Sequence, residues 1–287
     1  MPSTPPLADL PSEAGATLAA LRGRLDRIDD AIHDLLMRRA EVVAQVGPAK
    51  SGVAFRPGRE AQIIRRLLAR HRGPLPARVL PRLWRELIAA TTAMQGSYVI
   101  AVCETGAADS RLQCAREHFG ALTPMRVRHS AVAAVAEVSA GRAIAAVLPL
   151  PDEDATWWTE LPRHGEPRIH VVARLPFWGL RSEGVPLAQA LVVAAIAPDP
   201  SGDDISLIGL ELDADLGNAR LAAVLGAAGL TLRGSPLHHV SGNTAHVLVE
   251  VDGLVAGDDP RLDAVPDMPH RPVVLGAYAA PADGDTP

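Results

Sequence analysis

The stretch that most constrains this chain runs from Leu18 to Lys50, LAALRGRLDRIDDAIHDLLMRRAEVVAQVGPAK. Apolar residues fall at Leu18, Leu21, Leu25, Ile28, Ile32 and Leu35, in alternating steps of three and four. That spacing lines them along one seam of an α-helix long enough to pack lengthwise against other helices. Carried forward, the rhythm reaches Arg39 and then Val42, Val46 and Ala49. An arginine therefore occupies a position that the pattern reserves for a buried aliphatic. An unpartnered buried guanidinium is strongly unfavourable, so either an anion meets it or its head snorkels out to water.

Lys50 decides between these readings. It lies about three helical turns beyond Arg39 and so faces within roughly 20° of it. It is the only lysine in the chain, against 27 arginines, so this position keeps a compact ammonium where the rest of the sequence uses planar forks. Two cations on one face favour a bound anion. Arg22 precedes Arg39 by roughly 25 Å along the axis. One small ligand cannot touch both from a single helix; if Arg22 shares the site, a second protomer brings it.

After SGVAFRPG, a turn broken by Pro57, a second helix is expected from Arg59 to about His71, with Ile63, Ile64, Leu67 and Leu68 inside. Glu60 points the same way, toward either a site or a helix N-terminus that it complements. A third helix starts between Pro76 and Pro81 and carries Leu80, Trp84, Leu87, Thr91 and Met94 on one stripe. Thr91 and Gln95, one turn apart, place a hydroxyl and an amide side by side. From Tyr98 the period changes. YVIAV, a helix over Asp109–His118, MRVRH, a helix over Ala131–Ser139 and AIAAVLPL alternate as β-α-β-α-β. ISLIGLEL, a helix over Leu216–Ala228, GLTLRG and AHVLVEVDG then read as β-α-β-β. The expected division is a flexible tail over 1–17, a helical domain over 18–97, an α/β region over 98–186, an α+β domain over 187–279 and a tail over 280–287.

Charge agrees with an anionic ligand. The net charge is −5, yet residues 18–97 hold fifteen basic against seven acidic residues, and everything after 97 is acidic. The acidic remainder argues against nucleic acid, as does turning the key cations into a seam. Cys103 and Cys114 match no disulfide framework or zinc spacing, and His238-His239 lack ligand partners, so no metal site is expected. No signal peptide and no membrane-length apolar run is present in the sequence, and a cytoplasmic protein is expected. Trp157-Trp158 and Phe177-Trp178 are expected in the core.

The run LxALRxxLDxID…LLxxR…VxxxK, then RPxRE, then Thr91 and Gln95, resembles the all-helical class of chorismate mutases, as found at the front of bifunctional chorismate mutase–prephenate dehydratases. The resemblance implies an intertwined three-helix domain in a homodimer. Arg39, and Arg22 from the partner chain, would clamp the two carboxylates of chorismate. Lys50 would serve a carboxylate and the ether oxygen, Gln95 the same oxygen, Glu60 the ring hydroxyl and Thr91 a carboxylate. Arg59 would support Glu60 or a neighbouring carboxylate; Arg56 falls where the family can carry an acidic residue. No cofactor is implied.

EHFG at 117–120 and VLPL at 147–150 are similar to runs of a prephenate dehydratase lobe, and the end of the chain resembles an ACT-like regulatory fold. The dehydratase's Thr-Arg-Phe run falls at Ala188-Gln189-Ala190, which keeps none of its groups, and the usual Glu-Asn-Ser becomes Pro151-Asp152-Glu153. The expected function is chorismate to prephenate in phenylalanine and tyrosine biosynthesis, with a catalytically dead dehydratase-like and ACT-like region behind it. An aromatic amino acid is a candidate effector. The alternatives are a bifunctional mutase–dehydratase and a non-enzymatic helical dimerisation module with an amino-acid sensor.

Overall fold

A computed structural model describes residues 17–46, 54–106, 110–179, 188–213, 217–241, 244–265 and 268–282. The chain divides into two compact units, Met1–Ser51 and Gly52–Pro287. In the first, helix α1 spans Leu18–Val46, as the seam predicts, and none of its residues is buried. Leu18, Leu21, Leu25, Ile32 and Leu35 are between 43% and 63% exposed. The periodicity thus made the helix, but among the described residues its own unit offers no apolar face for the seam to cover. The expected continuation to Lys50, with a kink at Gly47-Pro48, lies outside the described residues.

The second unit begins with α2 (Pro57–Arg70) and α3 (Val79–Ala93) and continues with β1 (Ile100–Cys103), α4 (Arg111–Phe119), β2 (Met125–Arg128), α5 (Ala131–Ser139) and β3 (Ala145–Pro149). The expected β-α-β-α-β run is present, and α5 has the expected limits because Ser130 Oγ caps it by accepting from the Ala133 amide. β4 (His170–Leu175) and β5 (Ala190–Ala194) follow, then β6 (Asp204–Asp213), α6 (Asn218–Ala227), β7 (Leu232–Ser241), β8 (Thr244–Asp252) and β9 (Val273–Ala279).

The nine strands among the described residues join one sheet in the order β2-β1-β3-β5-β4-β9-β6-β8-β7. β2, β1 and β3 are parallel, as helical crossovers require. The last four strands are antiparallel in the order 4-1-3-2, a ferredoxin-like β-α-β-β-β arrangement in which a short turn at Pro260–Leu262 stands where a second helix would be. α6 packs Leu221 and Leu225 on Leu210, Leu212, Val247 and Val249. The join between the halves is Val171 of β4 against Gly276 of β9. Gly276 has φ +146°, and a Cβ there would lie 2.1 Å from the Val171 carbonyl oxygen, so only glycine lets these backbones meet.

Two observations in this unit bear on the expected boundaries. β5, assigned from sequence to the last domain, lies between β3 and β4, so 186/187 does not divide the sheet. Residues 54–97 also belong to the sheet's unit. Phe55, 1% exposed, packs its ring on Tyr98 and Phe119. α2 bonds the β5–β6 connection and the end of β9: Asp199 accepts from the Gly58 and Arg59 amides, and Arg65 donates to the Ser201 and Asp203 carbonyls and to that of Ala280, just after β9. The tryptophan pair 157–158 and Phe177 are buried as expected.

Candidate functional site

The α1 cations come first. Arg22 is exposed, whereas Arg39 is half-buried and burial lowers its pKa. Seventeen residues of helix keep them roughly 25 Å apart, so one α1 cannot close both on one small ligand. Lys50 lies outside the described residues.

In the second unit, Glu60 sits in the first turn of α2 and is 6% exposed. The apolar face of Ala61 and Ile64 turns it inward, as the sequence implies. There it meets Arg85 of α3, itself 5% exposed, whose Nη1 donates to Glu60 Oε2 at 2.6 Å. Among the described residues Glu60 Oε1 has no hydrogen-bond partner. Burial pushes the Glu60 carboxyl up to about 7; Arg85 pulls it back, and the Asp199 charge adds to the rise. Burial likewise lowers the Arg85 pKa, while Glu60 raises it. Removing one member of such a pair strands a buried charge, which costs about 3–5 kcal/mol.

Three more groups complete this pocket of charge. The Arg85 guanidinium lies over the Phe177 ring, 5.4 Å from its centre. Tyr98 is held well above the ordinary phenol range, first by burial and then by Glu60. His118 is held well below the ordinary imidazole range by burial and by Arg85, and its Nε2 is buried without a partner. A cavity of about 10 Å³, the size of one water molecule, lies between Arg85, His118, Arg174 and Phe177.

The other sequence-derived residues lie apart from this pair. Arg59 does not reach Glu60; its Nη1 donates to Gln62 Oε1 at 3.0 Å. Arg56 pairs with Asp199 at 3.3 Å. Thr91 is half-buried and its hydroxyl donates to the Leu87 and Ile88 carbonyls. It lies six residues beyond Arg85, about 9 Å along α3 and a third of a turn round. Gln95 is exposed just past the helix and its amide donates to the Thr91 carbonyl at 3.3 Å. The buried face of α3 is Pro81, Arg85, Ile88, Ala89 and Thr92. The expected stripe of Leu80, Trp84, Leu87 and Thr91 is only half-buried beside it, and Met94 is exposed, because the sheet unit takes the neighbouring face.

Arg85 is the residue that sequence reasoning missed. The signal was Glu60: a carboxylate turned toward a core needs a cation, by the argument already applied in reverse to Arg39. Elsewhere, Gln189 accepts from Arg174, which also bonds Tyr278 and Glu250. His239 stacks on His246, which faces Glu211 at 3.7 Å. Among the described residues no group of three His, Cys, Asp or Glu is arranged to hold a metal, and no helix is long and apolar enough to cross a membrane.

Residues 21–96 match the family described as chorismate mutase type II. The bifunctional chorismate mutase/prephenate dehydratase of Stutzerimonas stutzeri is 31% identical over 111 residues, covering 36% of this chain and 30% of that protein. This chain thus spans less than a third of that relative's length. Among solved structures, GqqA, described as a novel type of quorum quenching acylase, is similar at 20% identity and a TM-score of 0.47, over 64% of this chain and 96% of that one. A prephenate dehydratase from Arthrobacter aurescens in complex with L-Phe is similar at 13% identity and a TM-score of 0.46, over 64% of this chain and 92% of that one. Arg22, Arg39, Arg59, Glu60, Thr91 and Gln95 all lie inside the segment, residues 21–96, that is similar to type II chorismate mutases, and a mixed nine-stranded sheet follows it among the described residues.

Proposed function

We propose that this protein rearranges chorismate to prephenate. The observation that carries the reading is the family match over 21–96, which holds the whole set of cations and neutral donors in one segment. Chorismate is a dianion, and its rearrangement is intramolecular and pericyclic. No proton moves and no covalent intermediate forms. Catalysis then consists of holding the compact conformer and stabilising negative charge on the breaking ether oxygen. Arg39 and the second protomer's copy of Arg22 clamp the carboxylates as bidentate forks. Lys50 and Gln95 donate to the ether oxygen, each contributing about 2.7–4 kcal/mol. Glu60 takes the ring hydroxyl, Thr91 assists at a carboxylate, and Arg59 stands behind them. The roughly 25 Å between Arg22 and Arg39 and the uncovered seam of α1 both support a homodimer that completes each site.

The test is chorismate consumption by the purified chain, with acid conversion of the product to phenylpyruvate. No consumption above the uncatalysed rate overturns the proposal, and would favour a dimerisation module instead.

Dehydratase activity is the second reading, because the relatives are bifunctional. Against it, Ala188-Gln189-Ala190 offers no threonine or arginine, and Gln189 is bonded to Arg174. The sheet region is read as catalytically silent, and phenylpyruvate formed from prephenate at neutral pH would reverse that. An aromatic amino acid as effector belongs to the same reading of the ferredoxin-like half. If phenylalanine, tyrosine and tryptophan all leave activity and Tm unchanged, it fails.

A further inference from the structure

We infer that Arg85 is a positioning residue for the rearrangement: it holds Glu60 by one carboxylate oxygen and leaves the other to take the substrate's hydroxyl. The inference rests on the chorismate reading and on Glu60's place in it. A carboxylate has two acceptor oxygens, and a buried one that swings freely presents neither in a fixed direction. Here Oε2 is fixed by Arg85 Nη1 at 2.6 Å, while Oε1 has no partner among the described residues. The Arg85 guanidinium is itself immobilised. It is 5% exposed and lies over the Phe177 ring. The carboxylate is thus aimed by a rigid planar group rather than by a flexible ammonium.

The same contact sets the charge of Glu60. The titratable and charged groups around the pair are Asp199 from the β5–β6 connection, Tyr98 ahead of β1, His118 of α4, Arg174 of β4 across the small cavity, and Arg65 of α2 over the same Phe177 ring. Asp199 opposes ionisation of Glu60; Tyr98 and His118 are neutral and offer no compensating charge. Arg85 alone among them favours the carboxylate form. Without it, burial and Asp199 act unopposed, and the group takes up its proton at a higher pH than it does beside Arg85. A protonated Glu60 is a poorer acceptor for a hydroxyl, so activity is lost as pH falls through its pKa.

The experiment is the pH profile of kcat/KM for the full chain as wild type, Arg85→Met, Arg85→Lys, Glu60→Gln and the double variant. The expected result is that Arg85→Met moves the acid limb up by about one pH unit or more, a loss of about tenfold on that limb. Arg85→Lys moves it back toward wild type, because a cation is restored without the fork. On the Glu60→Gln background, adding Arg85→Met changes kcat/KM by less than about threefold, because the two act through one contact. If Arg85→Met does not fold by circular dichroism, the lysine and double variants carry the test, since neither leaves the carboxylate without a cation. A uniform fall in kcat/KM with an unmoved profile overturns the inference, as do losses that multiply in the double variant. An inactive wild type overturns it together with the chorismate reading; an active wild type with an unmoved Arg85 profile overturns it alone.

Discussion

Asp199 closes the N-terminus of α2 from 140 residues away: Oδ1 accepts from the Gly58 amide at 2.9 Å and Oδ2 from the Arg59 amide at 3.1 Å. The helix's own N-cap residue, Arg56, has no side-chain acceptor and instead pairs with the same carboxylate. The fit is close, since a Cβ on Gly58 would lie 2.1 Å from the Asp199 carbonyl oxygen. Asp199→Ala is expected to cost about 1–2 kcal/mol, the range for losing a cap. Thermal unfolding checks it: a fall in Tm below 1 °C would mean the cap is not holding the helix.

Glu60 should make stability fall as pH rises. Its folded pKa of about 7 lies above the ordinary carboxyl value of 4.5, so between those pH values the folded state binds more protons than the unfolded one. Unfolding free energy therefore declines through that window, by an upper bound of ~3 kcal/mol. Glu60→Gln should flatten the decline, measured by urea unfolding at pH 5 and pH 8.

Glu137 should do the reverse. Arg142, Arg128 and Arg126 hydrogen-bond its carboxylate and hold its pKa down at about 2. The stabilisation is full above the unfolded carboxyl value and is lost as pH falls toward 2. Glu137→Gln should lower Tm at pH 7 and converge with wild type in acid. A difference that persists at pH 2 would assign the effect to packing instead.

Lys50→Ala should abolish mutase activity while leaving the oligomer intact by size-exclusion chromatography. Retention of more than about a tenth of wild-type kcat/KM would remove Lys50 from the ether oxygen.

Mixed chains test the shared site. Arg22→Ala and Arg39→Ala should each be inactive, yet recover part of the activity when their subunits exchange, since one composite site in each heterodimer is intact. Failure to recover after demonstrated exchange would place Arg22 outside the site.

How far the sequence could be read follows the range of the forces involved. The seam of α1 and the limits of α5 were legible, because a 3.6-residue period and a serine cap act within a few residues. The inward turn of Glu60 was legible for the same reason. Its partner was not: Arg85 lies 25 residues on, and choosing it over Arg59 depends on how α2 meets α3. The same holds for Asp199 on α2 and for β5 between β3 and β4, where pairing is decided across the chain. In α3, apolar residues occupy two adjacent faces, and periodicity cannot say which one the sheet takes.

At Val171 and Gly276 a five-stranded and a four-stranded piece of sheet meet edge to edge, backbone against backbone, with no side chain on the glycine. α2 spans that meeting line, with Ala61 and Ile64 against Phe177 and Ala279 and Arg65 bonded to the carbonyls beyond it. A methyl group at position 276 would therefore do more than loosen one strand. It would pry the sheet open along its length and leave α2 as the splint across the break, pulling on the helix that carries Glu60.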